Sequence, residues 1–290
     1  MEAAPSVDIT GEELDQQRFQ LLKDIAKDLS DETTFPTCFD LVIRLRKALQ
    51  DPDLSIEQIA ALISLEPLIP LRLIHLANSV LYNRGQEVKD AKSAIQRLGL
   101  RNVRSTAMAI AMQQLLSSKE MVVFGDLPQR LWDHSLTTAC AAHVLARRLT
   151  RLNIDEAQLA GLVHDLGAFY LFYRFSQYEE LRQRPESAKF LVARWHESVG
   201  HSLLMALGIP EEIALAMVEH DTPRPLPAMP ANLTDVVYVA NMLAGGLSAW
   251  LDQGKEGESE EIVVRHAREL YAEHLPEIAA YEADMRAMLK

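Results

Sequence analysis

Cysteine is nearly absent from this chain of 290 residues: the two present, Cys38 and Cys140, lie far apart. A disulfide framework needs more sulfur at closer spacing, so both read as small apolar residues on helix faces. Glycine and proline are also scarce, at 12 and 13 residues, leaving few breaks in the helix-forming background of Ala, Leu, Glu, Gln and Arg. No apolar stretch approaches the roughly 18–20 uncharged residues that span a bilayer. Positive charge is in deficit, and the formal net charge is −12. That balance excludes bulk attraction to nucleic acid or anionic membranes, both of which reward a basic surface. The opening MEAAPSVDITGEELD is acidic and polar, unlike a secretory signal or a transit peptide. A cytoplasmic location is expected. No β-alternating run and no internal repeat is found.

What is present is helix periodicity with a large apolar content, 48% of residues, enough for a sizeable core. Phe19, Leu21, Leu22 and Ile25 suggest one amphipathic helix within a polar leader. After a breaker cluster at Thr33–Pro36, Cys38, Leu41, Val42, Leu45 and Leu49 recur at three- and four-residue spacing. Ser55 with Gln58 forms a capping-box signature ahead of a helix over 56–63. Another helix is expected over 71–81. Asp90 caps the next, Gly99 stops it, and an apolar helix then runs through Met108 and Leu115. The polar stretch 117–126 is the best internal boundary. Beyond it the pattern predicts helices over 131–148, from Asn153 to Gly167, and over 170–181, 188–207, 211–219, 233–250 and 260–271. Residues 252–261 (DQGKEGESEE) read as a solvated loop.

The segment 54–77 has the rhythm of a helix-turn-helix, but it offers only Arg72 and His75 against Glu57 and Glu66. A recognition helix needs more basic and polar reach, so a core hairpin is the reading. Trp132, Trp195 and Trp250 read as core anchors, and the Met108–Met112 stretch as packing.

Chemistry concentrates in the histidines of the second half. His134 lies in LWDHS, His164 and Asp165 in GLVHDLG, His196 in WHESVGHSLL, and His220–Asp221 follow a short helix beginning at Pro210. A lone inward histidine is more often a hydrogen-bonded core residue than a ligand. Here each member falls on a separate helix with an apolar inward face. A short link makes the His134 and His164 helices antiparallel neighbours. His201 points about 140° away from His196 around its helix and is expected outside the cluster. Imidazoles joined by carboxylate suit Fe, Mn, Zn or Ni better than Mg or Ca.

His134 followed by His164–Asp165 resembles the HD superfamily of metal-dependent phosphohydrolases, in which a later Ala-Asp supplies a further ligand. In this chain VVYVANMLA places Asn241 at that position, a neutral and weaker donor. Thr222–Pro223–Arg224–Pro225 follows His220 where the HD-GYP class has Gly-Tyr-Pro. The run from Ile63 to Met112, with Leu76–Ala77–Asn78–Ser79, Tyr82, Ala94–Ile95 and Leu98–Gly99, resembles the HDOD family of bacterial signalling outputs; Glu66–Pro67 replaces that family's usual Asp-Pro. GLVHDLG and WHESVGHSLL match its second half. The likeness covers roughly residues 30–245.

The resemblance implies an all-α protein of two packed helical bundles, the second HD-domain-like. Together with the pattern along the chain, this gives a polar leader over 1–30, an N-terminal helical sub-domain over 31–122, the HD-like sub-domain over 123–250 and a peripheral helical tail over 251–290. Two functional readings stay open. One is a non-catalytic regulatory module that binds signalling proteins, with a degenerate metal site at His134, His164, Asp165, His196, His220 and Asn241. The other is a metal-dependent phosphohydrolase in which Asp165 also orients water. Asn241, and the lack of a Lys/Arg cluster within the motifs, count against the second. Neither nucleic acid nor membrane is an expected partner, and homo-oligomerisation is left open.

Overall fold

The computed structural model describes residues 39–49, 54–65, 68–79, 82, 85–116, 119–251 and 258–289, together with Gln20, Lys23, Asp24 and Lys27. The amphipathic helix expected from Phe19 to Ile25, the breaker at 33–36, Cys38, the Glu66–Pro67 turn and most of the 252–261 loop lie outside the described residues. Within the first 36 residues, Gln20 donates to Asp24 at 2.7 Å. Residues 37–290 form one compact unit.

No strand occurs among the described residues, and the protein is all-α. The helices are α1 (Asp40–Leu49), α2 (Ile56–Ile63), α3 (Leu68–Asn78), α4 (Ala91–Leu116), α5 (Leu127–Leu149), α6 (Ile154–Val163), α7 (Leu166–Phe175), α8 (Glu179–Gln183), α9 (Pro185–Ala206), α10 (Glu211–Ala216), α11 (Leu233–Ala244), α12 (Glu258–Leu270) and α13 (Leu275–Leu289). None of them is long and apolar enough to cross a membrane.

Local chemistry starts these helices where the sequence indicates. Ser55 and Gln58 make the reciprocal capping box at α2. The Asp90 carboxylate accepts from the Ser93 amide at 2.8 Å, and Asn153 Oδ1 accepts from Asp155 and Glu156 at 3.0 and 3.1 Å. Gly99 does break α4, with φ of 79° inside an otherwise continuous helix. Asn78, in the LANS motif, clasps the Val88 backbone through both its amide groups at 2.7 and 2.8 Å. That clasp pins the connection between α3 and α4.

The first helices pack around α4, and α4 lies against α5, α6 and α7. The second group is built on α5, which contacts α6, α11 and α13, while α7 packs along α9. Trp132 and Trp250 are buried, and Trp195 is partly so.

Several boundaries depart from the sequence reading. The helix expected from Asn153 to Gly167 breaks at His164–Asp165, because the chain turns there before α7. The helix expected over 170–181 ends at Phe175, and that expected over 233–250 ends at Gly245, whose φ of 108° terminates it in a left-handed cap. The boundary stretch holds a 3-10 turn over Lys119–Phe124 that buries Met121 and Phe124. Helix α12 begins at Glu258, inside the expected loop.

The C-terminal helices are not peripheral. Ala267, Tyr271, Ile278 and Tyr281 join the core cluster around α5 and α11. Tyr281 stacks on His143 with ring centroids 4.1 Å apart, and both side chains bond Gln158 Oε1, at 2.8 and 2.9 Å. The charges of α13 obscure this in sequence: Glu277 meets Arg147 and Arg148, and Glu282 meets Thr137, only once the helix docks.

Candidate metal centre

Two close backbone approaches assemble the centre. A Cβ on Gly161 would lie 2.8 Å from the Thr138 carbonyl oxygen and 2.9 Å from Ala139 Cα, so α6 settles directly on α5. A Cβ on Gly167 would lie 2.0 Å from the His196 carbonyl oxygen and 2.6 Å from Gly200 N, so α7 and α9 touch backbone to backbone. The first contact brings His134 to His164, and the second brings Asp165 to His196. Asp165 occupies the N-cap position of α7, yet its side chain makes no capping bond. Its carboxylate is therefore free to serve the centre.

The donor atoms form two groups that share Asp165. In the first, His134 Nε2 and His164 Nε2 stand 3.1 Å apart, and Asp165 Oδ2 lies 3.6 and 3.2 Å from them. In the second, Asp165 Oδ1 lies 3.5 Å from His196 Nε2 and 3.2 Å from His220 Nε2. Asp221 Oδ2 closes that group at 3.2 and 3.4 Å from the same two nitrogens. Asp165 thus faces both groups, one oxygen to each.

The far sides of three rings are tied to backbone carbonyls. His164 Nδ1 donates to Gly161 at 2.8 Å, His196 Nδ1 to Val192 and Ala193 at 3.1 Å, and His220 Nδ1 to Met217. A carbonyl can only accept, so each Nδ1 carries hydrogen and each ring turns its Nε2 to the centre, a donor while the ring is charged and a lone pair once it is neutral. Glu197 accepts from the Glu219 and Asp221 amides at 3.2 and 3.3 Å and holds the turn that carries His220. Glu219 within that turn is the one non-glycine residue with positive φ among those described.

Asn241 is buried, with its Nδ2 committed and its Oδ1 without a hydrogen-bond partner. Nδ2 donates to the His220 carbonyl at 3.0 Å and to Asp221 Oδ1 at 2.8 Å. Of the six residues expected at the site, the structure brings the four histidines and Asp165 together around shared donor atoms. Asn241 meets that set through its Nδ2 bond to Asp221. His201 belongs to neither group. The sequence reading did not include Asp221 among the candidate ligands; the adjacent His-Asp pair at 220–221 was the available signal.

Burial and charge oppose one another strongly here. Burial, with His164 nearby, pushes the His134 imidazolium down to about 4. Burial also acts against His220, but Asp221 and Asp165 outweigh it and raise the ring to about 10. His196 is raised against burial by the same two carboxylates. Asp165 and Asp221 are held below the usual carboxylate range despite burial, Asp165 by His164 and His220, and Asp221 by His220 and His196.

Whether these residues fit a divalent ion is decided by what they leave unsatisfied. Asp165 Oδ2, His196 Nε2 and Asp221 Oδ2 are buried atoms without a hydrogen-bond partner. Native interiors rarely orphan such atoms, and each costs roughly 1–3 kcal/mol or more. Converging imidazole lone pairs and carboxylate oxygens suit a borderline transition metal such as Fe, Mn, Zn or Ni. The donor set fits.

Comparison with known proteins agrees with this architecture. The HDOD domain family matches residues 35–223, well over half of the chain. An uncharacterized protein of Treponema pallidum is 22% identical over 240 residues, covering 79% of this chain; the chain spans about half the length of that relative, 45%. A crystal structure of a candidate metal-dependent phosphohydrolase from Shewanella amazonensis is 26% identical with a TM-score of 0.63, covering 91% of this chain and 98% of that one. An HDOD domain protein of Geobacter sulfurreducens is 23% identical with a TM-score of 0.59, covering 94% and 98%.

Proposed function

The chain belongs to the HDOD domain family, and on that premise we propose that it is a signal-transduction output that acts by binding protein partners. Its HD-type centre would hold a divalent ion without turning over a substrate. The observation that carries this reading is the enclosure of the centre. The side chains of His134, His164, Asp165, His196 and His220 are at most 2% exposed, and only Asp221, at 13%, reaches towards solvent. A phosphate ester could not meet the imidazoles and Asp165 without displacing packed helices. Asn241 adds weight, since it offers no anionic oxygen and its Nδ2 is committed to Asp221 and the His220 carbonyl.

Under this reading His134, His164, Asp165, His196, His220 and Asp221 would retain the ion. The carbonyl bonds at Gly161, Val192 and Met217 keep the rings oriented. The ion would lock α5, the α6–α7 turn, α9 and the 220–221 turn into one body, presenting a fixed helical surface.

The second reading is a metal-dependent phosphohydrolase. It is favoured by the donor set itself and by the likeness to the Shewanella protein. A divalent ion would supply Lewis-acid activation of water and of a phosphoryl oxygen. Asp165, facing both groups, would accept the proton of attacking water.

Elemental mass spectrometry of protein purified without chelator, followed by phosphatase and nucleotidase screens on the metal-loaded chain, separates the two. Bound metal with no turnover above background is the expected result. Substantial hydrolysis that disappears in a folded Asp165→Ala variant would replace the first reading with the second.

A further inference from the structure

We infer that Asp221 supplies the carboxylate missing at position 241, so that a divalent ion prefers the seat formed by Asp165, His196, His220 and Asp221, with Asn241 acting as a positioning residue for Asp221. The inference rests on the centre being metal-competent.

The two seats differ in donors and charge. The seat of His134, His164 and Asp165 offers three donors and one carboxylate, which it shares. The other seat offers four donors, two of them carboxylates. Four donors complete the tetrahedral set that zinc favours, and two carboxylates balance a divalent charge.

The hydrogen-bond logic points the same way. With its Nδ1 hydrogen on Gly161, neutral His164 presents an accepting Nε2, and His134 Nε2 at 3.1 Å is placed to donate to it. That contact pairs the two Nε2 atoms, leaving Asp165 Oδ2 and, on the far side of its ring, His134 Nδ1 without partners.

At the other seat His220 Nε2 pairs with Asp165 Oδ1 at 3.2 Å, but His196 Nε2 and Asp221 Oδ2 are left over. His196 and His220 also spend their Nδ1 hydrogens on backbone carbonyls, so their Nε2 atoms face carboxylate oxygens. His196 Nε2 and Asp221 Oδ2 stand 3.2 Å apart, and neither makes a hydrogen bond. That buried contact needs a cation, either the proton of a charged His196 or a divalent ion, and a divalent ion can engage both atoms together with His220 and Asp165.

Asn241 explains how Asp221 is aimed. Its amide takes Asp221 Oδ1 at 2.8 Å and leaves Oδ2 turned to the imidazoles. A carboxylate at 241 would repel Asp221; the neutral amide anchors it. The Asn at this position is therefore read as part of a rearranged site.

The test is titration of the full-length chain with zinc, read by calorimetry and by elemental analysis, for wild type, Asp221→Asn, His134→Gln and Asn241→Ala. Circular dichroism confirms that each is folded. About one zinc per wild-type chain is expected, weakened roughly tenfold or more by Asp221→Asn and changed by less than about threefold by His134→Gln. Asn241→Ala should weaken zinc binding only while Asp221 is present, so its effect should vanish in the Asp221→Asn background. Should Asp221→Asn fail to fold, Asp221→Glu, which keeps the charge, should retain zinc, and its failure to do so would count against the seat. Loss of zinc in His134→Gln with retention in Asp221→Asn would overturn the seat while leaving the centre metal-competent. So would two zincs per chain at equal affinity. An Asn241→Ala effect that persists without Asp221 would overturn the positioning role alone. No zinc uptake by wild type would overturn this inference and the metal-centre reading together.

Discussion

Gly167 lies beneath the backbone of His196 so closely that a methyl group on Gly167 would sit 2.0 Å from the His196 carbonyl oxygen. The obstructing atoms are main chain, which cannot rotate away. Gly167→Ala must therefore push α7 from α9 and carry Asp165 away from His196. The expected cost is about 3 kcal/mol or more, at the upper end of overpacking effects, with loss of bound metal. Urea denaturation checks the first and elemental analysis the second; a variant of wild-type stability would show that the helices can part freely.

Asn241→Asp probes the same region by charge. The new carboxylate would lose the bonds now made to the His220 carbonyl and Asp221 at 3.0 and 2.8 Å, and would face a buried like charge. In chelator at pH 7 the variant should lose about 2–4 kcal/mol relative to wild type. Zinc should restore less thermal stability to it than to wild type, because stabilisation by a ligand follows its affinity and a repelled Asp221 is a poorer donor. Equal melting temperatures in chelator would argue that Asp221 and the introduced carboxylate are not both ionised.

His143 gives the fold a defined acid sensitivity. Burial pushes its imidazolium down to about 4, although its bond to Gln158 works the other way. Above the unfolded value of about 6.5 the ring is neutral in both states and contributes no pH dependence. As pH falls from about 6.5 to 4 the unfolded chain takes up a proton that the folded chain refuses. Stability therefore declines over that window, by at most roughly 3 kcal/mol from this group. His143→Asn should flatten the decline; denaturation curves at pH 4.5 and 7.5 for both proteins measure the difference.

Tyr281 tests whether the final helix belongs to the core. Tyr281→Phe removes the hydroxyl that bonds Gln158, while Gln158 keeps His143, so about 1 kcal/mol should be lost. Tyr281→Ala also removes the stacked ring and should cost about 3–5 kcal/mol. Comparable small losses for both, by urea unfolding, would mean that α13 is dispensable to the folded unit.

Much of the fold was legible in the sequence, because helix caps and periodicity are local. Ser55 with Gln58, Asp90 and Asn153 start helices wherever the chain is placed, and Gly99 interrupts one. The four histidines and Asp165 stood out because such side chains seldom enter apolar helix faces, and the HDOD likeness ordered them. The break at His164–Asp165 was not legible, since apolar residues continue through it and only the packing of α7 on α9 makes the chain turn.

Asp221 shows the limit at the site. Beside Thr222 and Pro223 it reads as a polar loop residue; it becomes a donor only when Glu197 grips the 219–221 turn and Asn241 takes its other oxygen. The sequence by itself determined an all-helical chain with imidazoles and a carboxylate on separate inward faces, because spacing and residue type decide those things. The tertiary structure alone decided that Asp165 serves two groups, that Asn241 supports Asp221 and that Tyr281 closes the core. Those relations join side chains tens to more than a hundred residues apart, and only backbone contacts such as Gly161 on Thr138 and Gly167 on His196 bring them within hydrogen-bonding distance.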